Sequence, residues 1–284
     1  MKKLSTSAIT LTTLLLFVAC DPSYNKYDMS KTVDQATGDE SLTTPVVATP
    51  EITPEEEPEV EVPKIDPPKK CELVDRLEPS LEASLSILND AFKLSRNQKN
   101  KLSYYLDSTK VTVVKESFLV DQIDTATRSY LRGVPHLEHE MLIDPRTNDE
   151  LNEYYTISYN GYIHTESLSY EGTYQVALLS DDGVALSING NKVVNNPNDH
   201  GPTFNCAADL ITFEAGKPVS LKLDYYQGPR SLVASSLMWR KIDPSTAVDR
   251  SLCERKLSNS NQMRTKGWEV IPREVLFRDM KTCE

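Results

Sequence analysis

Residues 172–194 read GTYQVALLSDDGVALSINGNKVV, and the fold turns on how they are divided. An apolar run from Tyr174 to Ser180 meets two adjacent acids and a glycine, Asp181-Asp182-Gly183, and a second apolar run follows from Val184 to Ile188. Asn189-Gly190-Asn191 comes next, with Val193 and Val194 behind it. Asn and Gly tolerate the positive φ that tight hairpin turns require, so this step is a hairpin. The Asp-Asp-Gly step reads in the same way, as the tip of a hairpin with Gly183 at positive φ. Two like charges side by side raise an alternative, that a cation sits between the carboxylates.

The pattern continues on both sides. A polar loop at 195–209 is followed by strand Leu210 to Phe213, turn Ala215-Gly216-Lys217, strand Val219 to Tyr226, loop QGPR (227–230) and strand Ser231 to Trp239. Upstream, Val111 to Val114 and Tyr155 to Tyr159 are rich in β-branched and aromatic residues. Between them, HLEHEMLIDPRTNDELN (136–152) reads as a long loop whose His136 and His139 are exposed. HLEH is not the HExxH zinc pattern. Short strands separated by turn signals, with no helices between them, indicate an antiparallel β-sandwich. Successive strands reverse direction, so segments 181–183, 195–209 and 227–230 share one end, where such scaffolds carry loop-borne function.

Residues 71–107 are expected to be helical. Leu77, Leu81, Leu85, Leu88 and Phe92 recur at spacings of four, four, three and four, one face of a 3.6-residue repeat. Ser95 would cap a second short helix carrying Leu102, Tyr105 and Leu106. The sandwich is then expected over 108–284.

Residues 1–19 read as an export signal. Lys2 and Lys3 precede the largely apolar run Ile9 to Val18, and small Ala19 precedes Cys20. The run is short of the ~20 residues a spanning helix needs. This pattern resembles a bacterial lipoprotein signal, which implies lipidation of Cys20 and an envelope protein facing the periplasm or the cell surface. From 21 to 70, twelve acids, five lysines and eight of the seventeen prolines accompany only two aromatic residues. Too little apolar surface is present to offset ordering entropy, so 20–70 is expected to be a lipidated cysteine and a disordered tether.

Net charge is −11, of which −7 lies in residues 21–70 and −6 in residues 71–284, offset by +2 in the signal. A mildly acidic domain with no basic patch argues against nucleic acid as a partner. Apart from Cys20, four cysteines remain: Cys71, Cys206, Cys253 and Cys283. In an exported chain an even number indicates two disulfides, with three connectivities open. Termini that lie close together would favour Cys71–Cys283 with Cys206–Cys253.

The stretch YNGYIHTESLSYEGTYQVALLSDDGVALSINGNKVV (159–194) resembles the central motif of the protective-antigen amino-terminal domain family. ITFEAGKPVSLKLDYYQ (211–227) is similar to its next strand pair, Trp239 to its late tryptophan, and EVIPREVLF (269–277) to its closing strand. The resemblance runs over roughly residues 103–278, and the insert 241–267 that carries Cys253 departs from it. It implies a β-sandwich used for carbohydrate recognition. It further implies that Asp181 and Asp182, joined by a cis peptide, chelate calcium that sugar hydroxyls help to coordinate. Those lectins add an asparagine from a second loop, and the matching position here is Gln227. Calcium takes six to eight hard oxygen ligands, and two carboxylates supply the charge.

No GxSxG, SxxK, HExxH or phosphate-loop pattern occurs, and adjacent acids are poorly placed for glycoside hydrolysis, which needs carboxyls flanking the scissile bond. The expectation is therefore a non-enzymatic lipoprotein that is anchored to a membrane and binds a glycan or cell-wall polysaccharide with calcium. The alternative is a structural or protein-interaction module of the envelope without sugar binding.

Overall fold

In the computed structural model the described residues are 71–165, 168–229, 231–243, 245, 247–257 and 261–283. The signal, Cys20 and the tether lie outside them.

The apolar strand Gly172–Asp181 is central to a seven-stranded antiparallel sheet. On one side it pairs with Leu232–Lys241, Ala234 opposite Asp181. On the other it pairs with Thr203–Cys206 and Ile211–Phe213. Asp124–Ser129 and Glu269–Val270 line the far side of Leu232–Lys241, and Arg255–Lys256 extends Thr203–Cys206. The second sheet, of eight strands, is built on Tyr155–Ile163 and Val219–Gln227, in register from Gln227 opposite Tyr155 to Val219 opposite Ile163. Val184–Ile188 and Asn191–Asn196 continue it on one side. Leu81–Leu88, Val111–Val120, Leu276–Cys283 and Cys71–Pro79 complete it on the other.

The main core lies between the sheets, with Leu85, Ile157, Leu223 and Tyr225 from one and Val176, Leu178, Leu237 and Trp239 from the other. Trp239 stacks on Tyr174 at 4.4 Å, and its indole N–H donates to Glu269 at 2.9 Å. The outer faces are covered too. Leu257, Met263 and Trp268 close over Ala177, Leu179, Phe204, Ala234 and Met238, and the Cys206–Cys253 disulfide fastens this cover to the sheet. Leu257 and Met263 of the insert 241–267, with Trp268 just beyond it, thus complete a second, smaller core. On the other sheet Leu88, Ala91, Leu102 and Tyr105 cover Tyr154, Ala185 and Tyr226. A strand covered on both faces reads as a continuous apolar run, which is why Gly172–Asp181 has one.

Three expectations are corrected. Residues 71–107 are not a helical segment: Cys71–Pro79 and Leu81–Leu88 are strands, followed by the single helical turns Arg96–Lys99 and Leu102–Tyr105. A spacing of four is a multiple of two as well as near the helical period, and Leu81, Ala83, Leu85 and Ile87 are the buried positions of a period-2 pattern. The sandwich therefore begins well before residue 108. Ser95 does stand at the start of a helical turn, with its N–H and hydroxyl both donating to Gln98 Oε1. Second, Asp181-Asp182-Gly183 is not a hairpin tip. Gly172–Asp181 and Val184–Ile188 belong to different sheets, and the acids form the crossing between them. Third, His136 is half-buried with its ring edge against Tyr159 at 5.8 Å, and burial lowers its pKa to about 4, whereas His139 is exposed.

The Asn189-Gly190 hairpin stands as read, with φ of 49° and 75° and Ile188 opposite Asn191. The long loop is pinned from within by Arg146. It pairs with Asp144 through Nε at 2.7 Å and Nη2 at 2.5 Å, and donates to the carbonyls of Leu88, Glu153 and Tyr154.

Candidate functional site

The crossing between the sheets carries the candidate site. Asp181 ends one strand and Gly183 precedes Val184, and the Asp181–Asp182 peptide is cis. Both aspartates are buried, at 6% and 5% exposure.

Asp182 ties three loops together. Its Oδ1 accepts from the His200 N–H at 3.2 Å, and its Oδ2 accepts from the Gly228 N–H at 2.8 Å. Segments 181–183, 195–209 and 227–230 therefore do share one end of the sandwich. Among the described residues, no hydrogen bond or ion pair reaches the Asp181 carboxylate. Its main-chain carbonyl is held by the Tyr225 hydroxyl at 2.7 Å.

Gly183 is required by close approach rather than by its backbone angle, since it is not at positive φ. A Cβ there would lie 2.4 Å from Tyr226 Cε1 and 2.9 Å from the Pro197 carbonyl carbon. Its lack of a side chain lets the 195–202 segment and the Tyr226 ring close around the acids.

Gln227 is fully buried beside the pair, but its orientation differs from that of a calcium ligand. Its Oε1, 2.6 Å from the Tyr225 hydroxyl, shares that group's single proton with the Asp181 carbonyl, while Nε2 faces Asp182 Oδ2 at 3.5 Å and donates to the Leu232 carbonyl at 3.1 Å. The amide oxygen, the atom a cation would need, is in use.

Burial, and then the neighbouring Asp182, push the Asp181 carboxyl up to about 8. Burial likewise pushes Asp182 up to about 7 against the opposing pull of the Gly228 and His200 amides, with Asp199 adding to the rise. Two buried carboxylates without a cationic partner favour their protonated forms until a positive charge arrives. The donor set fits a hard divalent cation in charge and atom type. Among the described residues no group of three or more His, Cys, Asp or Glu side chains is placed to hold a metal ion.

The cysteines divide between shown and placed. Cys206 and Cys253 are bonded. Cys71 stands opposite Cys283 at the end of the strand pair Cys71–Pro79 and Leu276–Cys283. Reading the sequence missed His200, Gly228, Tyr225 and Asp199 as members of the site. His200 and Gly228 act through main-chain amides, which leave no side-chain signature.

Residues 142–250 match the model of the PA14 domain family, the protective-antigen amino-terminal domain. A search of curated proteins returned no match. Among solved structures, an anti-sigma factor domain-containing protein is 18% identical over 71% of this chain, with a TM-score of 0.42. The chain spans about half of that protein, 49% of its length. The PA14 domain of the MpAFP antifreeze protein is 19% identical, covering 73% of this chain and 94% of that one, with a TM-score of 0.47. A PA14 sugar-binding domain from an RTX adhesin is 14% identical, covering 70% and 98%, with a TM-score of 0.46.

Proposed function

With a PA14 domain in residues 142–250 as the premise, we propose that the chain is a cell-envelope lipoprotein displaying a calcium-dependent, carbohydrate-binding and adhesive β-sandwich. The observation that carries this reading is the buried Asp181–Asp182 pair at the end where three loops meet, with no hydrogen bond or ion pair to the Asp181 carboxylate among the described residues. Asp181 and Asp182 would hold the ion. Bound there, calcium would offset the pair's charge and offer open coordination positions to vicinal sugar hydroxyls.

The chain's own residues shape the rest. The Gly228 and His200 amides fix the Asp182 carboxylate, and Tyr225 fixes the Asp181 main chain. Segments 195–202 and 227–229 form the walls against which a sugar would rest. The partner is a glycan or a cell-wall or surface polysaccharide, no reaction is catalysed, and lipidated Cys20 tethers the domain to a membrane.

One observation favours a second reading, a structural or protein-interaction module. Asp182 already accepts two main-chain N–H groups, and Gln227 turns its nitrogen rather than its oxygen toward it. A glycan array probed with and without calcium separates the two. Retention that needs both calcium and the two aspartates supports the lectin reading. Absence of glycan retention under either condition leaves the interaction module.

A further inference from the structure

The loop that brings His200 to Asp182 is gripped from behind by a segment that precedes residues 142–250. The Leu102 N–H donates to the Pro197 carbonyl at 2.8 Å, and Lys101 and Asn198 form an antiparallel bridge. Asn100 Nδ2 donates to Asp199 Oδ2 at 2.9 Å, and Arg96 Nη2 reaches the same oxygen at 3.2 Å. Beneath this layer the Tyr105 ring stacks on Tyr226 at 4.5 Å, and Tyr226 is the ring against which Gly183 packs.

Two features go beyond ordinary packing. Asp199, held by Asn100 and Arg96, directly precedes His200, whose amide donates to Asp182. Arg96 is mostly exposed, so the buried Asn100 is the firmer of the two holds. In addition, among the described residues, Asn100 Oδ1 and Tyr226 Oη are buried without a hydrogen-bond partner. Unsatisfied buried polar atoms are uncommon, and these two belong to residues that flank the 197–200 loop.

We infer that residues 95–106 are part of the cation site, with Asn100 and Arg96 as positioning residues. By holding Asp199 they hold the adjacent His200 amide against Asp182. The inference rests on the cation reading above and extends it to a segment outside the matched domain.

The test uses the full chain, calcium chloride as the probe, and the variants Asn100→Ala, Arg96→Lys and Arg96→Ala/Asn100→Ala. Groups that orient ligands from behind typically alter metal affinity ~10-fold or more when removed, so the double variant should bind calcium about tenfold more weakly. Arg96→Lys, which keeps the charge, should stay near the parent. A second readout needs no calcium: the His200 amide should exchange faster in the double variant, while the core amide of Leu223 exchanges at the parent's rate. Parent-like calcium affinity in the double variant overturns the inference. If the parent itself does not respond to calcium, the cation reading fails separately. The positioning claim then stands or falls on the His200 amide alone, supported by faster exchange and overturned by an unchanged rate. Asn100→Ala alone supplies both readouts if the double variant does not fold.

Discussion

The Gly228 amide donates to Asp182 Oδ2 at 2.8 Å, and a Cβ on residue 228 would lie 3.1 Å from that same oxygen. The contact that fixes the carboxylate therefore leaves little room for a side chain at its donor. Gly183 is under the same constraint on the other side of the acids, where it faces Tyr226 and Pro197. The site is enclosed by two glycines, both of which act by what they lack.

The first prediction tests that enclosure. Gly183→Ala places a methyl 2.4 Å from a buried aromatic carbon and 2.9 Å from backbone, so something must move. Overpacking of this kind costs about 1–3 kcal/mol. Urea unfolding should show a lower midpoint at an unchanged slope. A midpoint equal to the parent's would mean that the close approach is not real.

Arg146 offers a second test, remote from the acids. It is half-buried, paired to Asp144, and donates to three main-chain carbonyls, Leu88 at the end of a strand and Glu153 and Tyr154 just past the long loop. Arg146→Ala leaves Asp144 buried without its partner, which costs on the order of 3–5 kcal/mol. Arg146→Lys should recover only part of this, because an ammonium cannot reproduce the planar fork. Equal stability of all three proteins by chemical denaturation would refute the anchoring role.

How much of this was legible in the sequence depends on which forces leave a periodic trace. The Asn189-Gly190 hairpin was readable because turn chemistry is local. The convergence of 181–183, 195–209 and 227–230 was readable because antiparallel strands alternate direction. Leu77, Leu81 and Leu85 misled because a spacing of four satisfies both a helix and a strand, and only pairing decides between them, of Cys71–Pro79 with Leu276–Cys283 and of Leu81–Leu88 with Tyr155–Ile163 and Val111–Val120. The crossing at Asp181-Asp182-Gly183 was read as a hairpin because a turn signal does not say which sheet the next strand joins. The covers over both outer faces were illegible for a further reason. They are distant segments, 89–106 and 252–268, whose fit to Tyr226 or Met238 exists only in three dimensions.

The cysteines give a third prediction. Cys206 and Cys253 are 47 residues apart and fasten the cover that carries Trp268. Cys253→Ser should cost about 2–5 kcal/mol. It should also raise Trp268 accessibility, read as a red-shifted emission that Cys206→Ser reproduces. Cys71 opposite Cys283 leads us to expect a second bond, so the denatured, unreduced, processed protein should titrate with no free thiol. Two reactive thiols would leave Cys206–Cys253 as the only bridge.

A fourth concerns the anchor. Cys20→Ser should leave the protein unprocessed or release it from the membrane fraction. A variant that fractionates and migrates like the parent would remove the lipoprotein assignment while leaving the sandwich and its site untouched.

The fifth prediction concerns Asp181 and Asp182 and follows from their raised pKa values, about 8 and about 7. An unfolded aspartate titrates near ~3.9. A carboxyl whose folded pKa lies above its unfolded value contributes stability that is fully present below the unfolded pKa and lost as pH rises through the folded one. In calcium-free protein, the contribution of this pair should therefore decline between about pH 4 and pH 8. Calcium held by the ionised pair would have to displace protons at low pH and would bind more tightly as pH rises. An ion that binds only the folded state adds RT ln(1 + [Ca]/Kd), or about 2.7 kcal/mol at ~100-fold excess over Kd. The calcium-induced rise in Tm should accordingly be small at pH 5 and largest at pH 8, with proton release in calorimetry performed in two buffers. Asp181→Asn should remove the calcium response and weaken the calcium-free pH dependence without abolishing it, because burial raises Asp182 on its own. A calcium shift that is the same at pH 5 and pH 8, or that survives Asp181→Asn, would mean that the ion binds elsewhere and that the buried pair serves the crossing alone.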